Sequence, residues 1–291
     1  MTRNHVYPID RLTILFFFTL FSACEGGYKP YPNNPKHPGG EGNERATVTV
    51  ALDPALGTIL TDGEGSTLYV FTLDATGGST CTDVCLDSWP AFGGEELSVK
   101  GTGLQEADFA SVTRPDGSEQ FTYQGHPLYY FAGDQRAGNT NGEGVGDVWF
   151  VAKPDYSVMI GTQEVAELGA VSYLTDEPGN ALYYFANDAV GVSTYEDGCL
   201  DNWHAFIVDD VVAPSLLRQA EFATITRNDG AQQVTYRGRP LYYFAGDQQR
   251  GDINGEGVGD VWTVADITAE PLLNTGQETP ERDQGGYGYG G

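Results

Sequence analysis

The side chains best suited to chemistry lie in two matched loops. Asp134, Asn139, Asn141, Glu143 and Asp147 populate one; Asp247, Asp252, Asn254, Glu256 and Asp260 populate the other. Oxygen donors alternating with glycine can wrap a hard cation, which makes Ca²⁺ the candidate cofactor. The spacing is not that of an EF-hand, because Gly144 and Gly257 lead into Val-Gly-Asp and no glutamate stands at the twelfth position. A structural reading competes with the metal one: Asp and Asn accept local backbone hydrogen bonds in a long turn while Gly supplies positive φ.

The other reactive groups are sparse. Cys81 and Cys85 form a close pair, whose plain reading in an exported chain is a disulfide pinning the loop before Trp89. Three intervening residues and the lack of a nearby histidine weaken the redox and zinc alternatives. Cys199 aligns with Cys85 and has no partner in the sequence pattern, because Tyr195 stands where the first copy has Cys81. Arg114, Arg227, His126 and His204 are the scattered basic groups worth watching. No Ser-His-acid set recurs. Acids are too abundant to discriminate, so an acid-residue hydrolase stands as one alternative to a binding module, and a redox or metal-handling accessory as another.

Stepping along the chain shows what positions these residues. The segment Leu68-Tyr-Val-Phe-Thr-Leu-Asp74 recurs as Leu128-Tyr-Tyr-Phe-Ala-Gly-Asp134, Leu182-Tyr-Tyr-Phe-Ala-Asn-Asp188 and Leu241-Tyr-Tyr-Phe-Ala-Gly-Asp247. Its flanks recur too: Trp89-Pro-Ala-Phe92 answers to Trp203-His-Ala-Phe206, and Gly142-Glu-Gly-Val-Gly-Asp-Val-Trp149 to Gly255-Glu-Gly-Val-Gly-Asp-Val-Trp262. Two homologous units follow, at 47–155 and 158–268. The motif aspartates Asp74, Asp134, Asp188 and Asp247 are either equivalent ligand-binding carboxylates or caps on the turns that end their strands.

Within each unit, short β-prone runs alternate with Asp-Gly and Pro-Asp-Gly turns, as in Phe109–Thr113, Pro115-Asp-Gly-Ser118 and Glu119–Tyr123. A period of two puts Leu128, Tyr130 and Ala132 on one face and Tyr129 and Phe131 on the other, so both faces are covered. Helix is confined to a turn or two within 101–109 and 214–222. The fold class is all-β: a tandem repeat of a small antiparallel unit, as a sandwich, barrel or propeller-like meander. The repeated tyrosines and tryptophans read as core.

The ends carry the address. A basic start precedes the apolar run Leu12–Phe21 and then Ser22-Ala23-Cys24, which reads as a signal peptide over 1–23. The run is too short for a permanent membrane span. Residues 24–46, rich in Pro, Gly and Asn, read as a flexible tether, and 269–291 as a disordered Gly/Tyr tail. Fifteen basic against forty-one acidic residues give a net charge of -26, which excludes nucleic acid as a partner. It also makes a lipid the natural means of holding an acidic body at a membrane.

The four Tyr-x-Phe-x-x-Asp segments, the Trp-Pro after a cysteine pair and the Asn-Gly-x-Gly-Val-Gly-x-Val-Trp stretch resemble a family of predicted bacterial lipoproteins whose module is called the secreted repeat of unknown function. The Ser-Ala-Cys ending is similar to a lipoprotein processing box, with Cys24 the lipidated residue; Phe21 holds the place usually given to Leu. The resemblance implies a lipid-anchored protein of the cell envelope with a repeat fold, and it implies no activity. An envelope protein or polysaccharide is the expected partner. Two departures, Tyr195 for Cys81 and His204 for Pro90, confine any site built on both cysteines to the first unit.

Overall fold

The computed structural model describes residues 45–165, 168–194 and 202–272, all within one compact unit. The signal segment, Cys24, Cys199 and the distal tail lie outside them.

The first repeat contains β1 (Arg45–Asp53), β2 (Gly57–Asp62), β3 (Tyr69–Phe71), β4 (Glu96–Val99), β5 (Phe109–Thr113), β6 (Glu119–Tyr123), β7 (His126–Pro127) and β8 (Trp149–Val151). The second contains β9 (Val158–Val165), β10 (Gly169–Asp176), β11 (Tyr183–Phe185), β12 (Trp203–Ala205), β13 (Phe222–Thr226), β14 (Gln232–Tyr236), β15 (Arg239–Pro240), β16 (Tyr242–Phe244) and β17 (Trp262–Val264). Turn chemistry sets the hairpins. Between β1 and β2, Asp53 Oδ1 accepts the amides of Ala55 and Leu56 at 2.8 Å each, and Gly57 takes up the left-handed backbone at φ +82°. Between β5 and β6, Asp116 Oδ1 accepts the Ser118 amide at 3.0 Å.

Each repeat holds a long hairpin (β1–β2, β9–β10), a second hairpin with a short return strand (β5–β6–β7, β13–β14–β15) and a central sheet. That central sheet runs β12-β16-β11-β17 in the second repeat. The first repeat reproduces its order through β3–β8 pairing and the bridges Tyr69↔Tyr129 and Ala91↔Tyr129. Pairing is antiparallel apart from β4, which runs parallel to β1. The chain is therefore a tandem all-β repeat of the sandwich or meander kind. Helix among the described residues amounts to one short segment, α1 (Val84–Ser88), and 3₁₀ turns that include Glu106–Asp108 and Gln219–Glu221, the latter two inside the windows read from sequence.

The alternation of the motif is realised from Leu128 to Phe131 and ends there, because Ala132 is exposed where the chain turns out of the sheet. Leu128 and Tyr130 enter a core that runs without a break through both repeats and includes Val48, Leu60, Phe150, Leu174, Leu182 and Leu241. Tyr129 and Phe131 point the other way, into a separate aromatic cluster of the first repeat; the second repeat has its counterpart. Because the core is shared, the two repeats form one body. Strand β1 begins two residues inside the segment read as tether, where Arg45 pairs with Glu96 at 2.9 Å. Likewise the stretch up to Leu272, read as the start of a tail, is hydrogen-bonded to the second repeat.

Candidate functional site

The motif copies work in pairs, and each pair is crossed. Tyr69 and Tyr129 exchange backbone hydrogen bonds at 2.8 and 2.9 Å, which sets two Leu-Tyr-x-Phe-x-x-Asp segments antiparallel. Each tyrosine then reaches the aspartate of the other copy. Tyr69 donates to Asp134 at 2.5 Å and Tyr129 donates to Asp74 at 2.7 Å. The second repeat repeats the exchange: Tyr183 donates to Asp247 at 2.6 Å and Tyr242 to Asp188 at 2.8 Å.

The aromatic residues obey the same local symmetry. Trp89 and Trp149 stack face to face at 3.9 Å; Phe71 covers the outer face of Trp149 at 4.0 Å and Phe131 that of Trp89 at 4.4 Å. Tyr69 and Tyr129 meet Trp89 and Trp149 edge-on. In the second repeat the ladder is Phe244, Trp203, Trp262, Phe185, with the tryptophans 3.6 Å apart. Offset stacking and edge contacts are the favoured aromatic geometries. Glycine is required beside the ladder: a Cβ on Gly142 would lie 2.7 Å from the Tyr69 ring and 2.9 Å from Trp89.

A buried polar chain feeds one of the two aspartates in each repeat. Arg114, 4% exposed, donates through Nη1 to Ser79 Oγ and Gln120 Oε1 and through Nη2 to the Cys81 carbonyl. Since the Tyr129 proton goes to Asp74, the Ser79 hydroxyl donates to Tyr129 at 2.8 Å. The order is Arg114 to Ser79 to Tyr129 to Asp74, whose other oxygen takes the Thr80 amide and hydroxyl. Arg227, Ser193, Tyr242, Asp188 and Thr194 repeat it, with Gln233 in the place of Gln120.

Burial raises the carboxyl groups of all four motif aspartates above their ordinary range, against the lowering effect of the tyrosine bonds. It raises the four tyrosines as well, so the phenols stay protonated and act as donors.

The ten loop residues proposed for Ca²⁺ are distributed differently from a cation cage. Asp134 Oδ1 and Asp247 Oδ1 accept the amides of Asn141 and Asn254 at 2.9 and 2.8 Å. Asn139 and Asp252 each accept two amides at the loop tips, and Glu143 and Glu256 accept those of Val151 and Val264 at 2.6 and 2.7 Å. Asn141 and Asn254 donate to the carbonyls of Gly133 and Gly246. Asp147 and Asp260 are exposed, in the left-handed region at φ 60° and 59°. Among the described residues, no three His, Cys, Asp or Glu side chains converge as metal ligands. The oxygens face backbone N–H groups that would otherwise be unpaired in a long loop.

Cys81 and Cys85 are joined in a disulfide with Cα atoms 5.4 Å apart, immediately before Trp89. His204 is exposed. His126 is buried between the repeats: its Nε2 donates to the Glu177 carbonyl at 2.8 Å, and its Nδ1 accepts from Arg250 at 2.7 Å. Burial, with Arg250 beside it, lowers its pKa to about 3. Burial lowers Arg250 to about 10.

Sequence reasoning missed Ser79, Thr80 and Gln120, and with them Ser193, Thr194 and Gln233. Their recurrence at the repeat offset was the available signal. Arg114 and Arg227 stand out in the sequence as isolated basic groups, and only the fold shows them heading these buried chains.

These features define a tandem-repeat all-β protein whose elementary unit is half of each described repeat: one Tyr motif, its following aspartate and one Trp. The lipoprotein family model described as a secreted repeat of unknown function matches at residues 50–92, 110–153 and 223–266. Each matched segment contains one motif tyrosine: Tyr69, Tyr129 and Tyr242. No curated protein and no solved structure matches the chain.

Proposed function

We propose that the protein is a lipid-tethered module of the cell envelope that binds or scaffolds a partner and performs no reaction of its own. One observation carries this reading: the polar groups repeated across the chain are engaged inside the fold. Each motif aspartate accepts from a tyrosine of the paired copy and from the loop that follows it. A carboxylate saturated in this way holds two strands and a loop together and is poorly placed to act as a base on a substrate. The acidic exterior, with Cys24 preceding a Pro- and Gly-rich stretch, suits a body kept at a membrane by lipid and away from it by charge.

The test is fractionation of wild-type and Cys24→Ala protein from the native envelope, with mass spectrometry of the mature N-terminal peptide and photo-crosslinking in intact cells. Wild type is expected in the membrane fraction with a diacylated Cys24 and a discrete crosslinked partner, and Cys24→Ala in the soluble fraction. Membrane retention of Cys24→Ala, or an unmodified Cys24, overturns the tether. A hydrolytic or redox activity abolished by Asp134→Asn, in a variant that stays folded, overturns the non-enzymatic reading.

A further inference from the structure

The two repeats meet through a joint whose two halves each have a counterpart at the equivalent place in the other repeat, and apolar side chains of both counterparts are exposed. In the joint, β9 and the loop around Arg250 from the second repeat sit on residues 72–77 and 124–126 of the first. Thr162 donates to Thr72 Oγ1 at 3.1 Å, and Gly161 lies against Ala75, whose methyl would be 3.3 Å from a Cβ placed there. Arg250 donates to the Gln124 carbonyl at 3.1 Å and to His126. Thr72 and Ala75 are accordingly buried, at 5% and 6% exposure.

The repeat register identifies these counterparts. On the second repeat, Ala186 and Ala189 stand where Thr72 and Ala75 stand on the first, and both are exposed. Val192 beside them is 51% exposed. On the first repeat, Ala51 and Leu52 stand in the places of Gly161 and Thr162, and Leu52 is 80% exposed. The polar Thr72–Thr162 contact of the joint thus becomes Ala186 against Leu52, apolar on both sides.

The second contact changes in concert. Ala137 takes the place of Arg250, and the arginine of that loop, Arg136, stands one position earlier and is exposed. On the other side, the carbonyl of Arg237, equivalent to that of Gln124, already accepts the Leu272 amide at 3.0 Å. The arginine at the joint's register position is thus lost on one surface, and the matching acceptor is occupied on the other. Leu52 on one surface and Ala186, Ala189 and Val192 on the other are apolar groups left exposed on the counterparts of two surfaces that mate within the chain.

We propose that these surfaces mate between molecules: the β1–β2 hairpin of one copy docks on the Ala186–Val192 face of the next. The contact is heterologous, since each copy offers a different surface, so it propagates head to tail and does not close into a dimer. The proposal adds to the scaffolding reading but does not depend on lipidation, and it is tested on the unlipidated mature chain in solution.

Sedimentation velocity over a concentration series separates the outcomes, with salt near 1 M to suppress repulsion between acidic copies by shortening the Debye length to about 3 Å. Wild type is expected to form species larger than dimer as concentration rises. Leu52→Glu and Ala186→Glu, each placing a charge in an apolar contact, should each weaken self-association by about tenfold or more. Mixed together, the two variants should yield a one-to-one pair and nothing longer, because one intact face remains on each. Near-ultraviolet circular dichroism of the tryptophan stacks reports that both variants remain folded. A wild type that stays monomeric throughout overturns the proposal. So does a Leu52→Glu variant that associates like wild type, or a mixture that behaves as the sum of its parts.

Discussion

Replacing Tyr129 by Phe removes one oxygen from the centre of the crossed pair and leaves the ring packing in place. Asp74, 1% exposed, loses its donor at 2.7 Å, and the Ser79 hydroxyl loses its acceptor at 2.8 Å. A hydrogen bond to a charged group contributes about 1.5–3 kcal/mol, and a buried acceptor left without a donor costs in the same range. The expected loss is about 2–3 kcal/mol. Tyr69→Phe should cost less, about 1–2 kcal/mol, because water can reach half-buried Asp134 while the Gly142 amide loses its acceptor at 3.2 Å. The same ordering is expected for Tyr242→Phe over Tyr183→Phe, since Asp188 is buried and Asp247 half-buried.

Urea unfolding followed by tryptophan emission measures all four, with circular dichroism confirming intact stacks. pH adds a second readout. Asp74 titrates above its ordinary range when folded because it is buried, so the folded state holds its proton more tightly than the unfolded chain does. Stability attributable to this group therefore rises as pH falls from the folded value toward the unfolded one. Loss of the tyrosine donor raises the folded value further. The Tyr129→Phe penalty should accordingly be largest at neutral pH and shrink on acidification. A loss below about 0.5 kcal/mol, equal losses for Tyr129→Phe and Tyr69→Phe, or a penalty independent of pH would refute the crossed-pair account.

Two further outcomes follow from the geometry. Gly142→Ala forces a methyl to within 2.7 Å of Tyr69 and should destabilise by about 1–3 kcal/mol, whereas Gly78→Ala, with nothing within 4 Å and no positive φ, should be neutral or slightly stabilising in the same urea series. Glu177, raised to about 7 first by burial and then by Asp108 and Asp176, keeps its proton in the folded state at pH values where the unfolded chain has released it; stability is lost as pH rises toward 7, and Glu177→Gln should restore about 1–2 kcal/mol near pH 8 and nothing near pH 4, a half-buried group being partly screened. Thermal melts of both proteins at the two pH values check the sign.

Legible in the residues alone were the two repeats, the hairpin turns, the two-faced burial of Leu128-Tyr-Tyr-Phe131 and the likeness to a secreted repeat. These are properties of period and recurrence, and the Cys81–Cys85 pair belongs with them because four residues of separation leave little choice of partner. The identity of each side chain's partner came from the folded chain. Asp74 reads from sequence as a strand cap, and it does hold the loop at Thr80, but its second oxygen belongs to Tyr129, fifty-five residues away. Asn139 and Glu143 admit from sequence both a turn-forming role, the favoured one, and a calcium-binding one, and the chain path shows which amides face their oxygens. Alternation fixes which face a side chain occupies. The register between two copies of a motif, set by their antiparallel pairing, fixes what it meets there, and so the conspicuous Leu-Tyr-x-Phe-x-x-Asp segment turned out to be half of a crossed clasp.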